Sequence, residues 1–243
     1  MKVAVFGDSF ADERINKREA GYKSWVELLR EKYYPDLTCY GEAGSSMYFS
    51  YDLFLENHEK YDKIIFIMTT PGRLTIPKYI PFQRSNINCY MYHINSIQTA
   101  QEHLVNNAFL MTEPGTQATK AAIEYYKFLY DPVFDRRLHL LMKEHILEIR
   151  RDTVMVDTLG QGLSAISYYE FDSSGSRPAE MWKYRDRRMC HFSPRNNEIL
   201  ADKMFEWCNG TPVPSKLDLN DFEVPSKEEL ERLLVHDKNK IND

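Results

Sequence analysis

A serine stands near the start of the chain in "MKVAVFGDSF", and far downstream a histidine stands in "CHFSPRNNEILADKMFEWCNG". Ser9 and His191 are the two residues whose types and settings allow covalent chemistry. A serine hydroxyl is a poor nucleophile alone. It needs an imidazole within hydrogen-bond reach to take its proton, and fixed N–H donors for the oxyanion that develops. His191 lies just before a stretch that reads as a helix, with Ser193 as N-cap, Pro194 at the first helical position and Asn209-Gly210 at the close. A loop tied to such a start is a rigid support for a general base. The competing use of Ser9 is structural, because a serine between a strand and a helix commonly caps the helix. His58, His93, His103, His139, His145 and His236 lack a comparable setting. His139 and His145 are six apart in a helical stretch, so they do not share a face, which speaks against a metal pair.

Delivering Ser9 requires a buried strand. Lys2–Phe6 alternates small and β-branched residues and stops at Gly7-Asp8-Ser9. Val3–Phe6, Leu37–Tyr40 and Lys63–Met68 read as strands, with Thr153–Leu159 as a later fourth. Between the first two, "SWVELLREKY" puts Trp25, Leu28, Leu29 and Lys32 on one helical face, with Ser24 as N-cap. Tyr48–Asn57 reads as a second helix with Tyr48, Tyr51, Phe54 and Leu55 inward. Two more follow, Thr116–Tyr130 and Pro132–Arg150, the latter presenting Leu138, Leu141, Met142, His145, Ile146 and Ile149 on one side. Strands alternating with helices at this spacing predict parallel crossover units, hence an α/β protein built as a three-layer α/β/α sandwich with a mainly parallel sheet. From Leu74 to Gly115 the alternation breaks into a Pro-, Asn-, Gln- and Tyr-rich stretch with a weak helical pattern at Ile94–Asn106. That stretch is expected to be an insertion, after the third strand, over one end of the sheet. The core domain then spans 1–210, and 211–243 forms a wrapped segment with a peripheral helix started by Ser226 and Glu229 as a capping box.

In chain order, "VFGDSF", "SWVELL", "CYGEAGSS" and "CHFSPRNNEILAD" resemble the motifs of the SGNH (GDSL-type) hydrolases. The resemblance covers roughly 1–72 and 150–208. It implies a flavodoxin-like α/β/α fold and ester hydrolysis, with Ser9 as nucleophile and His191 as general base. It also implies an oxyanion hole built from the N–H groups of Ser9 and Gly44. Gly41 and Gly44 also admit a plainer use as turn glycines, although without a Cβ their N–H groups are still open to a ligand. Two places differ from the family pattern. Where the family carries an Asn in G-x-N-D, this chain reads "TTPGR", so a further donor would be the hydroxyl of Thr69 or Thr70, or the Arg73 guanidinium. Where D-x-x-H would put an Asp, Arg188 stands, and Asp186 is the nearest carboxylate. Asp186 completes a triad if "DRRMCH" curls back; otherwise the site is a Ser–His dyad oriented by a backbone carbonyl. Asp8, Arg73 and Arg188 are expected at the substrate. The family admits acetylated carbohydrates, short-chain esters, lipids and thioesters. With no membrane-seeking apolar stripe, a small polar ester or O-acetylated sugar comes first, and no metal or organic cofactor is needed. The alternative is a scaffold that keeps Ser9 and His191 without turnover and serves as a binding protein.

The remaining features narrow the classes. The 243 residues carry a net charge of −5, which disfavours a nucleic-acid partner. Cys39, Cys89, Cys190 and Cys208 show no CxxC spacing, as expected of reduced thiols in a cytoplasmic protein. No signal-peptide pattern or membrane-length apolar run is visible, so no membrane partner is expected. Gly160, Gly162 and Ala165 in "TLGQGLSA" match G-x-G-x-x-A, but no strand follows to carry the acidic partner of a dinucleotide site, so a turn-rich loop is the better reading. Lys183, Arg185, Arg187 and Arg188 form a basic cluster beside His191, either a solvated loop or a greeting for an anionic substrate. Tyr79, Tyr90 and Tyr92 either line a sugar groove or pack the insertion. Oligomeric state is not legible.

Overall fold

The apolar runs become four strands: β1 (Val3–Gly7), β2 (Thr38–Gly41), β3 (Lys63–Met68) and β4 (Val154–Asp157). They pair in the order β2-β1-β3-β4, every pair parallel, with Ala4 opposite both Thr38 and Ile64 and with Ile65 opposite Val154. The structure is a computed structural model that describes residues 1–14, 22–42, 45–69, 71, 124–125, 128–158, 192 and 194–222. Its principal helices are α1 (Trp25–Lys32), α2 (Met47–Asn57), α3 (Pro132–Ile149) and α4 (Pro194–Cys208).

Successive strand residues point to opposite faces, and the cores divide on that parity. Val3, Val5, Ile65, Ile67, Val154 and Val156 meet Trp25, Val26 and Leu29 of α1 and Leu200, Met204 and Trp207 of α4. Ala4, Phe6, Ile64, Phe66, Met68 and Met155 meet Met47 and Phe54 of α2 and Met142 and Ile146 of α3. The fold is therefore α/β, with an all-parallel sheet covered by helices on both faces, and strands buried on both sides read as unbroken apolar runs. Among the described residues no helix is long and apolar enough to cross a membrane.

Helix starts follow local chemistry. Ser24 caps α1 as expected, accepting from Glu27 N–H at 3.2 Å while the Glu27 carboxylate takes the Ser24 N–H at 3.0 Å. Ser46 caps α2, and Asp131 caps α3 ahead of Pro132. Helix α4 begins at Pro194 as its sequence predicts and gives way to Gly210 at φ +104°, a left-handed value that suits glycine.

Two inward faces differ from expectation. On α2, Leu55 is 40% exposed, and Met47 and Ser50 share the buried side with Phe54. On α3, Leu141 is 59% exposed and His145 is exposed, whereas Asp135 and His139 join Met142 and Ile146 inside. The buried arc of α3 runs i, i+4, i+7, i+11, and Leu141 sits about 100° away from Met142 on the helix. Asp135 is accommodated because Tyr130 donates to it at 3.3 Å and Tyr48 approaches at 3.5 Å, while His139 Nδ1 lies 2.9 Å from the Asp135 carbonyl oxygen. Strand β4 stops at Asp157, two residues short of the expected end. Residues 124, 125 and 128 are helical within the expected helix 116–130. The insertion at 74–115, the glycines of "TLGQGLSA", the basic cluster and the tail helix lie outside the described residues.

Candidate active site

From β1 the chain passes to the edge strand β2, then crosses back to β3 on the other side of β1. In open parallel sheets, ligands bind beyond the carboxyl ends of the strands where the order reverses in this way. Here that place is the end of β1, and the residues leaving it are Asp8 and Ser9.

The turn carrying Ser9 is fixed by Asp8. The Asp8 carbonyl oxygen accepts from the N–H groups of Ala11 and Asp12 at 2.9 and 3.0 Å. Its carboxylate accepts from Phe10 N–H on Oδ1 at 3.0 Å and from the Thr69 hydroxyl on Oδ2 at 2.6 Å. Capping of this turn is thus the work of Asp8, and the half-buried Ser9 contributes none of its bonds. Asp8 itself is 0% exposed, and its carboxylate is engaged within the turn. The Thr69 hydroxyl, the nearest described candidate for a further oxyanion donor, gives its proton to Asp8 in this arrangement.

Glycines let the backbone segments meet. A Cβ on Gly41 would lie 2.5 Å from the Ala11 carbonyl carbon and 2.7 Å from Asp12 N, so only glycine lets the end of β2 lie against the Ser9 turn. The loop after β2 then folds onto β1. Glu42 N–H and the Ser45 hydroxyl both donate to the Gly7 carbonyl oxygen, at 3.1 and 3.2 Å. Gly44, between those two anchors, lies outside the described residues, as do Thr70, Arg73, Asp186, Arg188 and His191.

The residue after His191 is described. Phe192 is 2% exposed, and its ring lies 5.8 Å from that of Phe10, the residue after Ser9. The Phe192 carbonyl oxygen accepts from the Tyr22 hydroxyl at 2.7 Å and from Asn197 Nδ2 at 3.0 Å. Asn197 Oδ1 in turn accepts the Trp25 N–H at 2.7 Å, and the Trp25 indole N–H donates to the Phe10 carbonyl oxygen at 2.7 Å. A chain of bonds therefore runs from the Ser9 turn through α1 and α4 to the segment that carries His191. Sequence reasoning passed over Asn197. Its signal was a polar residue on the same helical face as Leu200, Ala201 and Met204, where burial requires a bonded partner.

An ionic group flanks the turn on the β2 side. Arg14 holds Asp12 at 2.9 Å and Glu42 at 2.6 Å, and these carboxylates, Asp12 foremost, push the guanidinium pKa further up. A cleft of about 240 Å³ opens beside it, lined by Asp12, Arg14, Cys39, Glu42, Phe49 and Leu53 among others.

No protein-family model and no curated protein matches the sequence. Among solved structures, the chain is similar to an acetyl xylan esterase, with a TM-score of 0.35 and 14% identity over 85% of this chain and 98% of that one. It is also similar to a lipase from a goat rumen metagenome, with a TM-score of 0.31 and 12% identity over 85% of this chain and 97% of that one. Both likenesses are distant; the α/β fold with its four parallel strands stands on the strand order and the two cores.

Proposed function

We propose that the chain is a serine hydrolase that cleaves esters. Ser9 Oγ attacks the acyl carbon while His191 takes its proton, then passes that proton to the leaving alcohol. The N–H groups of Ser9 and Gly44 hold the oxyanion, and water releases the acyl group by the reverse sequence. Asp186, or failing it a backbone carbonyl, orients the imidazole. Thr70 and Arg73 are the remaining candidates for a third oxyanion donor, and Arg73 and Arg188 for contacts to substrate. A small polar ester or an O-acetylated sugar is the substrate class, with no cofactor called for.

One observation supports this reading: Phe192, the residue after His191, packs against Phe10, the residue after Ser9, and Ser9 itself leaves β1, where strand order reverses. That Ser9 is spared from capping its own turn adds support.

The test is turnover of chromogenic acetyl and butyryl esters and of acetylated xylo-oligosaccharides. Ser9→Ala and His191→Ala should each lower turnover by a factor of about a thousand or more. A site short of one oxyanion donor should be slower than a complete one by a factor of about a hundred. A folded wild-type protein that turns over no ester would overturn the reading in favour of a binding protein on this scaffold. The departures from the family pattern at "TTPGR" and at Arg188 are the features that favour that second reading.

A further inference from the structure

Thr69 follows directly on β3, is 4% exposed, and lies across the β1–β3 seam from the Ser9 turn. Its hydroxyl meets Asp8 Oδ2 at 2.6 Å, within the range of strong, charge-assisted O–H···O⁻ bonds. Asp8 has no access to water, and a carboxylate in that state depends on the donors around it. One of its oxygens fixes the backbone of Phe10 and the other is held by Thr69, with Ser9 lying between the residue that is held and the residue that is fixed. Thr69 is a firm support for such a bond. Its β-branched side chain has few rotamers, and the strand end below it is tied to β4 by the Thr158 N–H, which donates to the Met68 carbonyl oxygen at 3.1 Å.

We propose that Thr69 is a positioning residue for Ser9. By holding the Asp8 carboxylate it sets the pitch of the turn, and with it the direction of the Ser9 hydroxyl and of the Ser9 N–H. The proposal rests on the reading of Ser9 as nucleophile. It differs from a merely structural role because the turn has other ties. The bonds from Ala11 and Asp12 to the Asp8 carbonyl oxygen and the packing against Gly41 persist without the Thr69 hydroxyl, so its loss should tilt the turn without unfolding it.

The experiment compares Thr69→Val, which keeps the shape and removes the hydroxyl, with Thr69→Ser, which restores it. Two properties are read: kcat and KM on a chromogenic acetyl ester, and amide hydrogen exchange at Ser9 and Phe10. Thr69→Val should lower kcat about 10- to 100-fold, as a small misplacement of a reacting group does, with KM within about twofold. Exchange at Ser9 and Phe10 should quicken about tenfold while the β1 amides hold. Thr69→Ser should recover most of both. Wild-type values in Thr69→Val would overturn the proposal, and so would Thr69→Ser as impaired as Thr69→Val, since that would assign the effect to the lost methyl. If Thr69→Val does not fold, Asp8→Asn, which weakens the same bond, must give the kcat and exchange changes. If the wild-type protein itself turns over nothing, the hydrolase reading falls, and exchange alone decides whether Thr69 holds the turn.

Discussion

The two helical layers that cover the sheet are held by different kinds of contact. On the α1/α4 side, polar bonds join elements far apart in the chain. Asn197 takes the Trp25 N–H, Asp202 takes the Tyr33 hydroxyl at 2.9 Å and the Lys32 ammonium at 3.1 Å, and Asn209 donates to the Tyr34 hydroxyl at 2.9 Å. On the α2/α3 side the centre is apolar, and the polar pairs, Tyr48 and Tyr130 with Asp135 and Tyr51 with His145, stand around it. The outer face of α3 carries Val133, Phe134, Leu140 and Leu141, each more than half exposed. Phe10 and Phe192, which adjoin the two residues proposed for catalysis, belong to the first layer. Directional bonds there fix geometry, whereas the second layer supplies burial, which is favourable but non-directional. Damage to the first layer should therefore reach activity and stability together, and damage to the second should reach stability alone.

The largest effect is expected from Trp25→Ala. It removes a 1% exposed ring and leaves the Phe10 carbonyl oxygen without its indole donor, so chemical denaturation should show a loss of about 3–5 kcal/mol. Ile146→Ala, in the centre of the other layer, should cost about 2–4 kcal/mol in the same measurement while kcat of the folded fraction stays within about twofold. Equal damage to kcat from Ile146→Ala would break the distinction between the layers. Asn197→Ala should cost about 1–3 kcal/mol through the donors and acceptors it strands, and should also lower kcat because Phe192 loses an anchor. A pH titration of stability reads the first layer in another way. Burial holds the Cys208 thiol up to about 12, against an ordinary value of 9.0. Between pH 9 and 12 the folded chain keeps a proton that the unfolded chain releases, so stability is full below pH 9 and falls through that window. The decline should reach about 1.4 kcal/mol one unit above the ordinary value and should shrink in Cys208→Ala. Leu141→Lys, on the exposed face of α3, should change stability by less than about 0.5 kcal/mol.

How much of this was legible in the sequence follows from how local each cause is. Val3–Phe6 and Lys63–Met68 announce themselves because strands buried on both faces need unbroken apolar runs. Ser24 and Pro194 mark their helices because capping is settled within a few residues. The inner face of α3 was harder. Hydropathy favours Leu141 for burial over Asp135 and His139, and the hydroxyls of Tyr48 and Tyr130, which reach Asp135, help make the observed rotation affordable. The site shows the same divide. The setting of Ser9 after β1 is readable from its own decapeptide, but Thr69, which donates to Asp8, stands 61 positions away just after β3, and no local pattern points to it. Asn197 was hidden for the same reason, since the N–H it accepts belongs to Trp25, 172 positions earlier.

The central claim is that Ser9 is a nucleophile activated by His191, and covalent capture tests it most directly. The wild-type protein, treated with a fluorophosphonate and analysed by intact mass and peptide mapping, should carry a single adduct on Ser9. Labelling should vanish in Ser9→Ala and slow by about a hundredfold or more in His191→Ala. No adduct on folded wild-type protein, or an adduct that persists in Ser9→Ala, would contradict the account.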